Sequence, residues 1–308
     1  MGQLRKDYLL DRWVIIASER GKRPHQFKQV EGQEKDAPCY FCPGHEGETP
    51  PELYRRGTPD WSIRVFNNKF AAATPVGTPS IQTHNTFYTF GDAFGYHEVI
   101  VETRHHTQQL WDLDNKEIEE VLLTYVNRYE ILKKKDGIAY VEIFKNHKKE
   151  AGTSIIHSHS QVVAYTKIPR TVEEECNACR DEDRYGAVIE RERGSERRCF
   201  ENNDWIAFTP YASRQPFEII IFPKEFKRTL EECNTTTLTD ILGKILRKLK
   251  EINAPFNYLL HYGLPDSKLR FHIEIIPRFS TWAGFELSGT IINTMSPEGA
   301  AAFYRGEE

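Results

Sequence analysis

Twice along the chain a C-x-x-C pair is followed by the same series: an apolar run, a long amphipathic stretch, a second apolar run, and a third that opens on H-x-[HE]. In the first half the series is Cys39/Cys42, HEVIVETRHH from His97, a helical period over 114–135, AYVEIFKNH from Ala139, a glycine turn, and His157-Ser158-His159. In the second it is Cys176/Cys179, FEIIIFPKEF from Phe217, a helical period over 235–252, NYLLHYG from Asn257, and His272-Ile273-Glu274. Strand–helix–strand–strand recurs easily by chance, but its recurrence together with both motifs reads as an internal duplication. The expected organisation is two halves, 1–168 and 169–308, with the boundary at 168–175, where Pro169 and a charge run interrupt the periodicity.

Alternation and β-branched content predict strands at 13–17, 63–66, 97–102, 139–145, 160–165, 205–208, 217–222, 258–262 and 271–277. The helix over 114–135 starts on Asp114 with Glu117 three residues on, a capping-box spacing. Ile118, Val121, Leu122, Tyr125, Val126, Tyr129 and Leu132 form its apolar face; Leu238, Ile241, Leu242, Ile245, Leu246 and Leu249 form that of the second helix. Strands interrupted by one long helix per half give an α+β fold, expected as an antiparallel sheet.

Composition narrows the function. With 28% charged and 39% apolar residues, and apolar runs far shorter than a bilayer, the chain reads as neither disordered nor membrane-spanning. Forty-one basic against forty-five acidic side chains leave a net charge of −4, so neither nucleic acid nor an anionic membrane is an expected partner and any phosphate is bound locally. MGQLRKDYLLDRWVII has charges where a secretory signal has its apolar core, so the expected compartment is the cytoplasm. Cysteines kept reduced there and spaced C-x-x-C point to metal rather than disulfides, while Cys199 and Cys233 read as packing residues.

Cys39 and Cys42 lie in a Pro- and Gly-flanked turn, APCYFCPGHEG, which lets two thiolates converge on one ion, zinc for preference. Two more ligands are needed; His105 or His106 and His157 or His159 are the candidates. His157 and His159, two apart on a strand, share one face, and the preceding KNHKKEAGTS supplies a glycine turn whose backbone can approach a phosphate closely.

RWVIIASERGKRP from Arg12, CYFC, NNKF, HEVIVETRHHTQQL, FKN with GTS and HSHSQ, and AGFELSGTIIN occur in this order over nearly the whole chain. Together they resemble the galactose-1-phosphate uridylyltransferase family of the histidine-triad superfamily. The resemblance implies two histidine-triad-like halves merged in one subunit, a homodimer, and a ping-pong nucleotidyltransferase acting on a nucleotide sugar and a sugar 1-phosphate. By position in the family motifs, His159 would be the nucleophile and Gln161 the donor to the reacting phosphate. Cys39, Cys42, His106 and His157 would hold a structural zinc. Arg20, Arg23, Asn146, Gly152 and Ser154 would lie around the phosphates, Asn68 near the nucleotide and Glu286 at the hexose.

In the second half Phe226 and Glu274 stand where the first has His106 and His159, so no second active site is implied. The resemblance leaves two readings for that half. Some members of the family hold a second metal either on a second C-x-x-C with histidines or on a Glu and three histidines; here Cys176, Cys179 and His272 favour the former, with His261 or Glu274 as fourth ligand, unless the knuckle is vestigial and metal-free. Ser158, Ser280 and Ile292 depart from the pattern of bacterial uridylyltransferases. H-S-H-S-Q with the G-F-E element is similar to the divergent branch that includes plant ADP-glucose phosphorylase. The leading expectation is UMP exchange between UDP-glucose and galactose 1-phosphate in galactose metabolism. The alternatives are an adenylyl-transferring phosphorylase and a nucleotide hydrolase.

Overall fold

A computed structural model describes residues 3–16, 39–84 and 87–307. The chain opens with β1 (Gln3–Lys6) and β2 (Trp13–Ile16). The first half then runs β3 (Glu52–Arg56), β4 (Ile63–Asn67), the hairpin β5 (Ile81–His84) and β6 (Tyr88–Gly91), β7 (Gly95–Val101), α1 (Asn115–Leu132), β8 (Tyr140–His147) and β9 (His159–Tyr165). The second runs α2 (Arg170–Ala178), α3 (Arg184–Arg193), β10 (Arg198–Glu201), β11 (Trp205–Phe208), β12 (Ile219–Pro223), α4 (Thr235–Glu251), β13 (Phe256–His261) and β14 (His272–Pro277). The short α5 (Gly284–Leu287), β15 (Ile291–Asn293) and α6 (Pro297–Arg305) close the chain, and β15 joins β2 in parallel.

Ten strands make one antiparallel sheet in the order β10-β11-β12-β14-β13-β8-β9-β7-β4-β3. Read inward from either edge the connectivity is the same: three consecutive strands, then the fifth, then the fourth, with the long helix between third and fourth. The α+β, internally duplicated architecture therefore holds. The halves meet at β8 and β13, where Asn146 lies opposite Asn257.

α1 begins where its capping box places it: the Glu117 N–H donates to the Asp114 carboxylate at 2.8 Å, and the Asp114 N–H to Glu117 at 2.9 Å. The apolar faces of α1 and α4 share one core with the inward row of the sheet, including Ile143, Val162 and Ala164. The alternate row of β8 and β9, Glu142, Phe144, Asn146, Gln161, Val163 and Tyr165, is only half-buried and faces the other side. Among the described residues no helix is long and apolar enough to cross a membrane.

The charge run read as an interruption is helical. α2 starts directly after Pro169, with Val172, Glu175 and Cys176 turned inward at helical spacing and the remaining charges outward.

Candidate active site

The Cys39–Cys42 turn, the loop after β7 and the start of β9 converge. Cys42 Sγ lies 3.3 Å from His106 Nδ1 and 3.6 Å from His157 Nδ1, and Cys39 Sγ lies 3.7 Å from His157 Nδ1. All four ligand atoms fall within 4.8 Å of one another. A tetrahedron with Zn–S of about 2.3 Å and Zn–N of about 2.0–2.1 Å has edges of about 3.3–3.8 Å, which these separations match. His157 Nε2 donates to the Thr103 carbonyl at 2.7 Å, leaving Nδ1 as the ligating nitrogen. Burial, with Cys39 beside it, pushes the Cys42 thiol up to about 11, so the two cysteines would ionise together only against a cation. Of the histidines left open by spacing, His106 and His157 join the group; His105 and His159 do not.

His159 opens β9 and is 8% exposed. Its Nδ1–H donates to the His157 carbonyl at 2.8 Å, which fixes the tautomer and leaves the Nε2 lone pair free. Burial pulls its pKa down to about 4, and the Lys145 ammonium adds to the shift, so the neutral ring is the resident form at pH 7. The Phe41 ring, from the cysteine turn, meets His159 edge-on at 5.3 Å, so the turn that gathers the two cysteines also walls this imidazole.

Behind the strand lies a buried polar network that the motifs did not announce. Lys145 Nζ donates to Glu102 at 2.5 Å, to Ser158 Oγ at 3.0 Å and to the His159 carbonyl at 3.0 Å. Ser158, Ser160 and Tyr125 hydroxyls also donate to Glu102. Burial works against the Glu102 charge, yet Lys145 and the two serines hold its carboxyl below the usual range. The one available signal was phase: Lys145 and Glu102 sit at inward positions of alternating strands, where a lone charge needs a partner.

Gln161 lies on the same face as His159. Its side-chain oxygen accepts from His97 Nε2 at 2.8 Å and from Asn68 Nδ2 at 3.4 Å. Asn146 accepts from Asn257 at 2.7 Å. Gly152 takes the left-handed conformation, φ +92°, in the exposed turn between β8 and β9 that also carries Ser154. A cavity of about 490 Å³ opens on this face beside Gln161, lined by Phe144, Asn146, Val163, Asn257, Leu259 and Arg278 among others. Glu286 lies apart in α5, where its carboxylate accepts the Ala283 N–H at 3.0 Å. Arg20 and Arg23 lie outside the described residues.

In the second half the expected ligand set is corrected. Cys176 and Cys179 do not join His272; the group that forms is Glu175, His261 and His272. The cause is the helix: Cys176 lies in α2 and accepts from Ser267 Oγ at 3.4 Å, while Glu175 turns inward to His261 at 2.9 Å. Neither proposed fourth ligand completes a cysteine site. His261 belongs to the carboxylate group, and Glu274 is ion-paired with Arg214, which also meets Glu218 at 3.1 Å.

A strand-borne imidazole with one nitrogen locked and the other free lies beside a side-chain amide and next to a Cys2His2 group, an arrangement chemically able to carry nucleophilic group transfer. Residues 2–169 match the model of galactose-1-phosphate uridyl transferase, N-terminal domain. The chain belongs to the galactose-1-phosphate uridylyltransferase family. The ADP-glucose phosphorylase of Arabidopsis thaliana is 32% identical over 98% of this chain and 92% of its own length. The galactose-1-phosphate uridylyltransferase of Thermotoga maritima is 28% identical over 100% of this chain and 99% of its own. In fold, the crystal structure of the Arabidopsis thaliana ADP-glucose phosphorylase with bound ADP-glucose superposes with a TM-score of 0.83 at 30% identity, covering 99% of each chain.

Proposed function

We propose that this chain is a nucleotidyltransferase that exchanges UMP between UDP-glucose and galactose 1-phosphate through a nucleotidyl intermediate on His159. The free Nε2 of His159, with Gln161 on the same face, carries the reading. The Nε2 lone pair attacks the α-phosphorus, the bond to the bridging oxygen breaks, and hexose 1-phosphate leaves with that electron pair. The locked Nδ1–H keeps its carbonyl partner as the ring gains positive charge. A phosphate oxygen of the second sugar phosphate then attacks, the P–N bond breaks, and Nε2 recovers its lone pair. Gln161 donates to phosphate oxygens on which charge develops, with Asn146, Gly152, Ser154, Arg20 and Arg23 around the phosphates, Asn68 near the nucleotide and Glu286 at the hexose.

Zinc in the Cys39–Cys42–His106–His157 group would supply a fixed tetrahedral brace. His157 ties that brace to the strand presenting His159, and Phe41 ties it to the ring. Cys39→Ser is expected to lower bound zinc by about one equivalent per chain, by atomic emission on the purified protein, and Cys176→Ser to leave it unchanged. Zinc retained in full by Cys39→Ser would overturn the first ligand set. The same reading makes the protein a cytoplasmic homodimer.

A second reading, adenylyl transfer from ADP-glucose to inorganic phosphate, is favoured by the whole-chain likeness to the Arabidopsis thaliana ADP-glucose phosphorylase. Exchange assayed with UDP-glucose plus galactose 1-phosphate, and separately with ADP-glucose plus inorganic phosphate, decides between them. Faster turnover of the uridine pair supports the first reading and of the adenosine pair the second; turnover of neither contradicts both.

A further inference from the structure

We infer that His97 is a positioning residue for nucleotidyl transfer: it sets which end of the Gln161 amide faces the substrate. The inference rests on the nucleotidyltransferase reading and gives a role to a residue to which its motifs assign none.

One group around the His97 ring has a fixed role. The Ala72 backbone N–H can only donate, and it does so to His97 Nδ1 at 3.0 Å. The neutral ring therefore carries its hydrogen on Nε2. That N–H lies 2.8 Å from the Gln161 side-chain oxygen. A glutamine amide can be turned end for end with almost no change in shape, but turned here it would set NH2 against N–H. Asn68 Oδ1 accepts the Phe70 N–H at 2.8 Å, so its NH2 is the end that faces the pair, 3.4 Å from the Gln161 oxygen and 3.2 Å from His97 Nε2, whose own hydrogen is directed at Gln161. Gln161 Oε1 thus receives two donors, and its NH2 is turned away from them.

Among the described residues no hydrogen bond from that NH2 to a protein acceptor is present, whereas the oxygen is fully committed. A phosphate oxygen needs a donor; the amide oxygen in the same place would repel it. His97 is 8% exposed, and burial lowers its pKa. The neutral ring is the form the contacts require, since a protonated Nδ1 would face the Ala72 N–H.

A double-mutant cycle on the full chain separates positioning from general loss of stability. His97→Phe keeps a flat ring without nitrogens; Gln161→Ala removes the amide. With UDP-glucose and ADP-glucose as donors, single-turnover formation of nucleotidyl-His159 is expected to fall about 10²-fold in Gln161→Ala and about tenfold or more in His97→Phe. The double variant should be no slower than Gln161→Ala alone, because His97 acts through the amide. His97→Gln, which keeps an acceptor for Ala72 and a donor for Gln161, should recover most of the rate. If His97→Phe does not fold, His97→Asn, too short to span both partners, takes its place with the same expectation. Losses that multiply in the double variant, or a wild-type rate in His97→Phe, overturn the inference alone. A wild-type chain that forms no adduct overturns the nucleotidyltransferase reading and this inference with it.

Discussion

His159→Ala is expected to abolish nucleotidyl exchange, lowering turnover by on the order of 10⁴-fold or more. The reason is a shortage of substitutes. His157, the nearest other imidazole, has Nδ1 in the metal group and Nε2 on the Thr103 carbonyl. The Lys145 amine is buried and bonded to Glu102, Ser158 and the His159 carbonyl, so it has no lone pair to offer. Water can enter the vacated space, but water attacks a nucleotide sugar once and regenerates nothing for an acceptor. The variant should keep the metal content of the parent, since His159 stands outside the Cys39–Cys42–His106–His157 group, and its far-UV circular dichroism should match the parent. Exchange measured by radiolabel transfer is the check, and a loss of less than about tenfold would be incompatible with covalent catalysis at this residue.

Lys145→Met carries the second large effect, on stability. Lys145 and Glu102 are both buried, with relative exposures of 1% and 3%, and the pair holds the β7 end, β8 and the first residue of β9 together. Removing the ammonium leaves a carboxylate in the interior with only hydroxyl donors, which costs about 3–5 kcal/mol. Lys145→Met with Glu102→Gln should cost clearly less than the sum of the two single changes, because the neutral amide no longer needs the cation. Urea denaturation monitored by tryptophan fluorescence gives the comparison. Additive losses would mean that Lys145 and Glu102 do not act as one structural unit. The single Lys145→Met change should also slow adduct formation, since the amine anchors the carbonyl of His159 itself.

What the sequence discloses depends on whether the signal is local. The capping box of α1 and the apolar faces of α1 and α4 are local, and both helices begin within a residue of the expected positions. The histidine spacing on β9 is local too, and so is the cysteine turn. β3 and β10 escape notice because ELYRR and RCFE are short, charged strands at the two edges of the sheet, where pairing on one side relaxes the demand for apolar residues. The exposed hairpin β5–β6 contributes no core face to read. Cys176 and Cys179 mislead for a related reason: the same C-x-x-C spacing is a turn in one half and the end of a helix in the other, and only in the turn do both thiols face one point. His97, Lys145 and Glu102 acquire their roles from partners on other strands, 64, 13 and 43 positions away for the bonds to Gln161, Ser158 and Lys145 respectively, and no single window contains both members.

The central claim is covalent transfer through His159, and it is tested most directly by trapping the intermediate. The chain is mixed with UDP-glucose or with ADP-glucose, quenched in alkali, where a phosphoramidate survives, and digested for peptide mass spectrometry. One UMP or AMP group is expected on the peptide that contains His157 and His159, located to His159 by fragmentation. No adduct from either donor, or an adduct on any other side chain, would contradict it.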